Sequence, residues 1–259
     1  MKIAVCGKGG VGKTFIAAGL AQYFAASGRP VIAIDIDSSP NLALSLGLSA
    51  DEAARILPVA ENQELIRMKT GTDFSGVFRL SFTVDDIIGR YAVPTPSGAN
   101  LLVMGTVKTM GAGCTCPAHS VIKSLLRHLV VERDEIVILD MEAGIEHLGR
   151  GTAEHVDILL AVADANQKSL AVAATICRLA QASAIRTIGL VANRIANDQQ
   201  EQVFRAFAAD NNLPVLGKIP FDRQVADAGM TGEILDPSAS DALKAVSDLA
   251  KSLEAAHAG

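Results

Sequence analysis

The sequence predicts an α/β protein built on a doubly wound, mainly parallel sheet flanked by helices. Three observations predict it. Short aliphatic runs alternate along the chain with longer stretches of helical periodicity. The runs are continuously apolar, as suits parallel strands covered on both faces. The first of them leads at once into Gly7-Lys8-Gly9-Gly10-Val11-Gly12-Lys13-Thr14 and then into a helix, the strand–loop–helix setting of a phosphate-binding loop. The predicted class is therefore a P-loop NTPase fold, with ligands at the carboxyl ends of the strands.

Taken in order, the first strand is expected over 2–6 and the first helix over 15–26, an Ala-rich run after the glycines. The second strand, 30–35, ends in the acidic stretch Asp35-Ile36-Asp37-Ser38-Ser39-Pro40. The segment 51–97 breaks the rhythm with Gly71, Gly76, Gly89, Pro94 and Pro96, and reads as an irregular insertion on the ligand face. Strand 100–105 is followed by Gly113-Cys114-Thr115-Cys116-Pro117 and a helix over 118–131. Strand 135–140 runs into Asp140-Met141-Glu142-Ala143-Gly144. Strand 157–163, helix 167–182, strand 187–193, helix 199–210, strand 215–220 and a last helix over 240–256 complete a chain expected to form one ATPase domain across 1–259.

Composition narrows the function classes. The chain has 259 residues and is 49% hydrophobic, enough for a core on both sheet faces, with no Trp and only 4% aromatics. It thus offers no stacking platform for single-stranded nucleic acid, and a formal net charge of -5 argues against DNA as the main partner. No apolar run approaches the ~20 residues needed to span a bilayer, and the first strand starts within two residues of Met1. A cytoplasmic protein without a membrane or nucleic-acid partner is expected. Four cysteines are too few for a disulfide scaffold in a chain this long, and a close pair in a reducing compartment serves metal or redox chemistry more often.

The glycines of the loop let consecutive backbone N–H groups turn inward on a polyphosphate. Lys13 then places an ammonium against the β- and γ-phosphates, and Thr14 offers a hydroxyl to Mg²⁺. Gly9, Gly10, Val11, Gly12, Lys13, Thr14 and Phe15 are the expected nucleotide contacts of this segment. Asp140 closes an apolar strand as a Mg²⁺-holding acid would, and Gly144, lacking a Cβ, suits a switch loop that approaches the γ-phosphate closely. Two thiolates one residue apart, Cys114 and Cys116, can face one soft metal ion, yet a closed tetrahedral site takes four ligands. On the residues alone the pair is open to three readings: half a metal site, a strained redox pair or incidental loop cysteines. His119 is a further possible ligand or a helix-start residue, whereas Cys6 and Cys177 fall in a strand and a helix as core residues.

The second lysine of the loop, Lys8 in Lys-Gly-Gly-Val-Gly-Lys-Thr, resembles the deviant P-loop ATPases. That class includes the nitrogenase iron protein, the septum-site and chromosome-partition ATPases and metal-cluster assembly ATPases. The resemblance implies that Lys8 reaches across a dimer interface to the partner's nucleotide; a solvated lysine steering ATP by charge is the alternative. It implies that Asp37 orients the attacking water, where the residue alone could equally be a helix cap. Ser38 intervenes after it and the proline falls at Pro40, a departure from the many relatives with proline directly after that Asp. It also implies that Asn193, with Arg194 beside it, reads adenine, unless it only forms a turn, and that Pro220, Phe221 and Asp222 close over the base.

Lys8, the cysteine pair and the run Asp140-Met141-Glu142-Ala143-Gly144-Ile145-Glu146-His147-Leu148-Gly149-Arg150-Gly151-Thr152-Ala153 together look like the accessory ATPases that mature the nickel site of carbon monoxide dehydrogenase. The similarity covers essentially the whole chain. It implies a homodimer, promoted by ATP and metal, that binds one Ni²⁺ or Zn²⁺ through the cysteines of both subunits and couples ATP hydrolysis to nickel delivery. Glu146, His147 and Arg150 belong to that run but receive no chemical role from it. Two other readings stand beside this one: an iron–sulfur ATPase acting as electron donor or scaffold, and a metal-free positioning or partition ATPase. The last helix mixes Lys244 and Lys251 with Asp241, Asp248 and Glu254 over an Ala-rich side, and so reads as a packed surface helix, not a membrane anchor.

Overall fold

The computed structural model describes residues 1–37, 41–72, 79, 82–105, 117–131, 134–141, 155–183, 185–231, 235–236 and 239–258. Eight strands form one sheet: β1 (Lys2–Gly7), β2 (Val31–Asp35), β3 (Val93–Pro94), β4 (Asn100–Val103), β5 (Ile136–Asp140), β6 (Ile158–Ala163), β7 (Thr187–Ile195) and β8 (Val215–Pro220). Their order across the sheet is β3-β4-β2-β5-β1-β6-β7-β8. Every neighbouring pair is parallel except β3 with β4, where a two-residue edge strand runs antiparallel. The expected α/β class is observed.

Period-two alternation explains why the central strands are apolar on both faces. On β1, Ala4 and Cys6 enter one buried cluster while Ile3 and Val5 enter the other. Val137 and Leu139 of β5 divide from Ile136 and Ile138 in the same way. The first cluster packs under α4 (Gln63–Thr70), α5 (Asp85–Tyr91), α6 (Pro117–Val131), α7 (Gln167–Gln181) and α8 (Asp198–Asp210), through Leu65, Ile87, Leu125, Leu170 and Phe204. The second packs under α1 (Lys13–Ala26) and α10 (Asp241–Ala258), through Leu20, Phe24, Val246 and Leu249, with Leu42 of the short α2 (Leu42–Ser45) at its edge. Among the described residues no helix is long and apolar enough to cross a membrane.

Several bounds differ from expectation. The first helix starts two residues earlier, at Lys13, because Gly12 at φ 93 turns the chain into it directly. β7 runs on through Arg194 to Ile195 despite the left-handed φ of 58 at Arg194, with a register shift against β8 there. Within 51–97 the described residues form the short helices α3 (Ala50–Ala54), α4 and α5, a 3₁₀ turn at Val59–Glu61 and the strand β3. α3 is closed by a capping box in which Ser49 and Glu52 exchange bonds with each other's backbone N–H. A further helix, α9 (Arg223–Thr231), lies in a stretch for which the sequence predicts no element.

Candidate nucleotide site

β1 has β5 on one side and β6 on the other, so its carboxyl end is the point at which the strand connections diverge. The phosphate-binding loop leaves from that point. Gly10 and Gly12 take φ 81 and 93, values open to glycine at little cost, and the loop delivers Lys13 to the first turn of α1. Lys13 is only 5% exposed, and its Nζ lies 3.7 Å from Oδ2 of Asp37. Lys8 is exposed. Thr14 and Phe15 are half-buried in the same turn.

The neighbouring strands bring the acids in. Asp140 on β5 is in register with Val5 of β1 on one side and with Asp35 of β2 on the other. It is wholly buried, and among the described residues neither carboxylate oxygen makes a hydrogen bond of good geometry, although the Thr14 hydroxyl lies close enough to act on it. Burial pushes its pKa up to about 7, helped by the charges of Asp35 and Asp37 and opposed by the Thr14 hydroxyl and Lys13. Asp35 is equally buried, but its oxygens are occupied: one accepts from the Asp37 N–H at 3.1 Å and the other from the Leu42 N–H at 2.9 Å. Burial raises its pKa as well. Asp35 thus shapes the loop carrying Asp37 and starts α2, a role that sequence reasoning missed. The available signal was its place at the end of a strand, two residues before the acid that was singled out.

On the far side of the loop the end of β7 closes in. The Asn193 amide donates to Val11 O at 2.7 Å, and the Arg194 guanidinium donates to Gly10 O at 2.9 Å. Beside them opens a cavity of about 420 Å³ lined by Gly12, Phe15, Asn193, Arg194, Pro220, Phe221 and Asp222. The expected contacts Phe15, Asn193, Arg194 and Pro220 are therefore brought together in one place. Val225, Ala226 and Gly229 of α9 and Ala242 of α10 complete the wall and were not read from the sequence. Asp222 fixes that wall: its carboxylate accepts from the Gln224 N–H at 2.9 Å, the Ser240 hydroxyl at 2.7 Å and the Ala242 N–H at 3.3 Å. The bond from Ser240 holds it below the usual carboxylate range. A larger groove of about 670 Å³ runs between α4 and the start of α6, but none of its walls belongs to the phosphate loop. The smaller cavity is the one that adjoins the phosphate loop, and its size suits a small ligand.

Ser38, Pro40, Cys114, Cys116, Gly144, Glu146, His147 and Arg150 lie outside the described residues. His119 is exposed in the first turn of α6. Cys6 and Cys177 are buried thiols, and burial pushes Cys177 up to about 11. They belong to the core, as expected. Among the described residues no group of three or more His, Cys, Asp or Glu is placed to hold a metal.

The sequence pattern of the CobQ/CobB/MinD/ParA nucleotide binding domain matches residues 2–235. The chain belongs to that family. The carbon monoxide dehydrogenase accessory protein CooC of Rhodospirillum rubrum is 43% identical over 248 residues, 93% of this chain and 92% of that one. An uncharacterised ATP-binding protein of Methanocaldococcus jannaschii is 40% identical over 236 residues, 90% of each chain. The MinD cell division protein of Aquifex aeolicus superposes with a TM-score of 0.68 at 21% identity, over 98% of this chain and 96% of that one, a likeness of fold alone. As a member of the CobQ/CobB/MinD/ParA family the chain is a P-loop ATPase, and the family implies ATP with Mg²⁺.

The residues present fit that pair. Asp140, whose two buried oxygens make no hydrogen bond of good geometry among the described residues, and the Thr14 hydroxyl are the groups that would hold Mg²⁺. When bound, the ion neutralises charge on the phosphate oxygens. The protein's own part would be placement: the loop amides and Lys13 would hold the phosphates, and Asp37 stands 3.7 Å from that lysine.

The raised pKa of Asp140 has a measurable consequence in the metal-free protein. An unfolded aspartate loses its proton near pH 4, whereas the folded one keeps it to about 7. The folded state therefore binds more protons across that window, and stability falls as pH rises from about 4 to 7. Thermal unfolding in a chelator should show this decline, and Asp140→Asn should flatten it. An unchanged pH slope in the variant would contradict the assignment.

Proposed function

We propose that the protein is a homodimeric, ATP-hydrolysing metallochaperone of the cytoplasm, in which nucleotide binding and hydrolysis drive insertion of nickel into carbon monoxide dehydrogenase or a related nickel enzyme. The observation that carries this reading is the 43% identity to a carbon monoxide dehydrogenase accessory protein across 93% of the chain. The Cys114 and Cys116 pair supports it chemically, as two thiolates per chain and four per dimer make a soft tetrahedral site. The whole chain works as one ATPase domain. Lys8 crosses to the nucleotide of the partner subunit, Asp37 places the attacking water, and Gly144 lets the second switch loop follow the γ-phosphate. Metal and ATP then both favour the same dimer, and neither nucleic acid nor membrane takes part.

Metal content per chain, measured on anaerobically purified protein with and without ATP, tests the reading. One Ni²⁺ or Zn²⁺ per two chains is expected, held more tightly with ATP. Binding should strengthen as pH rises through the thiol range, since the ligands must lose protons. One ion per chain would refute the shared site, and broad visible absorption would point instead to an iron–sulfur cluster.

A further inference from the structure

We propose that Asn193 and Arg194 form a clamp that holds the phosphate loop in its binding shape before any nucleotide arrives, so that Asn193 is a positioning residue for the phosphates as well as a wall of the base pocket. The second half of that statement rests on the reading that the 420 Å³ cavity takes the base.

A carbonyl oxygen only accepts, so the Asn193 amide must turn its nitrogen to Val11 O, at 2.7 Å in a buried contact. The guanidinium of the next residue takes the preceding carbonyl, Gly10 O, at 2.9 Å. Two consecutive loop carbonyls are thus drawn toward β7. A trans peptide points its C=O and N–H in opposite directions. Tying Val11 O to β7 therefore aims the Gly12 N–H away from it, toward the concave side of the loop where phosphate oxygens sit.

The fit is close on both sides. A Cβ at Gly12 would lie 2.3 Å from Asn193 Nδ2, so only glycine lets the loop reach the amide. Arg194 takes φ 58, a left-handed conformation that side chains with a Cβ rarely adopt, and the β7–β8 register shifts at this point. The strand end is bent at the residue whose side chain grips the loop. One amide hydrogen and Oδ1 of Asn193 remain for a ligand in the cavity, which makes the residue common to the base and phosphate sites.

Inorganic tripolyphosphate separates the two roles, because it has phosphates and no base. Calorimetry with Mg²⁺ should compare ATP and tripolyphosphate on the full-length wild type, Asn193→Ala, Arg194→Gly and Arg194→Lys. The clamp predicts that Asn193→Ala weakens tripolyphosphate about 10-fold, along with ATP. Glycine adopts φ 58 without strain, so Arg194→Gly should fold as well as the wild type yet bind tripolyphosphate several-fold more weakly, and Arg194→Lys, which keeps a donor, should recover part of the loss. Hydrogen exchange of the 8–16 segment without nucleotide should quicken in Asn193→Ala. Loss of ATP affinity with unchanged tripolyphosphate affinity and unchanged exchange would overturn the clamp and leave Asn193 a base contact only. A wild type that fails to bind tripolyphosphate would also overturn it. If the wild type binds ATP no better than tripolyphosphate and the variants still lose affinity, the clamp stands and the base is not in the cavity.

Discussion

Lys13→Ala is expected to lower affinity for Mg-ATP by about 100-fold or more, from the loss of charge-assisted bonds worth roughly 3 kcal/mol together. Turnover should vanish with it. The lysine is nearly buried at 5% exposure, and among the described residues it pairs with Asp37 at 3.7 Å. Lys8→Ala should behave differently. Lys8 is exposed. The variant should keep most of its ATP affinity and lose nucleotide-driven pairing and most hydrolysis. Calorimetry with gel filtration of metal-free protein separates the two effects, and undiminished pairing of Lys8→Ala would remove the lysine from the interface.

Complete loss of bound metal is expected for both Cys114→Ser and Cys116→Ser. Removing either thiolate leaves a dimer with two sulfurs, half of what a closed tetrahedral site takes. Both variants should still fold and bind ATP, because exchanging a thiol for a hydroxyl nearly keeps the size and shape of the side chain. Substituting Cys6 or Cys177 should spare the metal, as both thiols are sealed in the core. The check is metal content after gel filtration beside ATP affinity on the same samples. Retention of metal by Cys114→Ser would end the shared four-sulfur reading.

The strands β1, β2, β5 and β6 were legible because each is buried along its whole length and so is almost entirely apolar. The edge strand β3 was not, since Val93 and Pro94 become a strand only by pairing with Leu101 and Asn100. α2 spans four residues, too few for a period to show, and its start is held by the side chain of Asp35 from seven positions earlier. The phosphate loop could be read because its chemistry depends on residues adjacent in sequence. The grip of Asn193 on Val11 spans 182 positions, and no local pattern carries such a contact.

The strand order lays the working parts in a row. Along the carboxyl edge of the sheet come the exit of β4, then Asp37 after β2, Asp140 on β5, the phosphate loop after β1 and, beyond β6, Asn193 on β7. Strands lie about 4.8 Å apart, so the row spans one nucleotide and a little more. The chain leaving β4 is the one that leads to Cys114 and Cys116, and its first residue is laced to its neighbour: Met104 N–H donates to Asp35 O at 2.9 Å, and Met104 O accepts from Ala60 N–H at 2.9 Å. Asp35 in turn holds the amide of Asp37. Asp37, which faces Lys13, and Met104, where the chain sets out toward the cysteines, are thus tied to the same residue of β2.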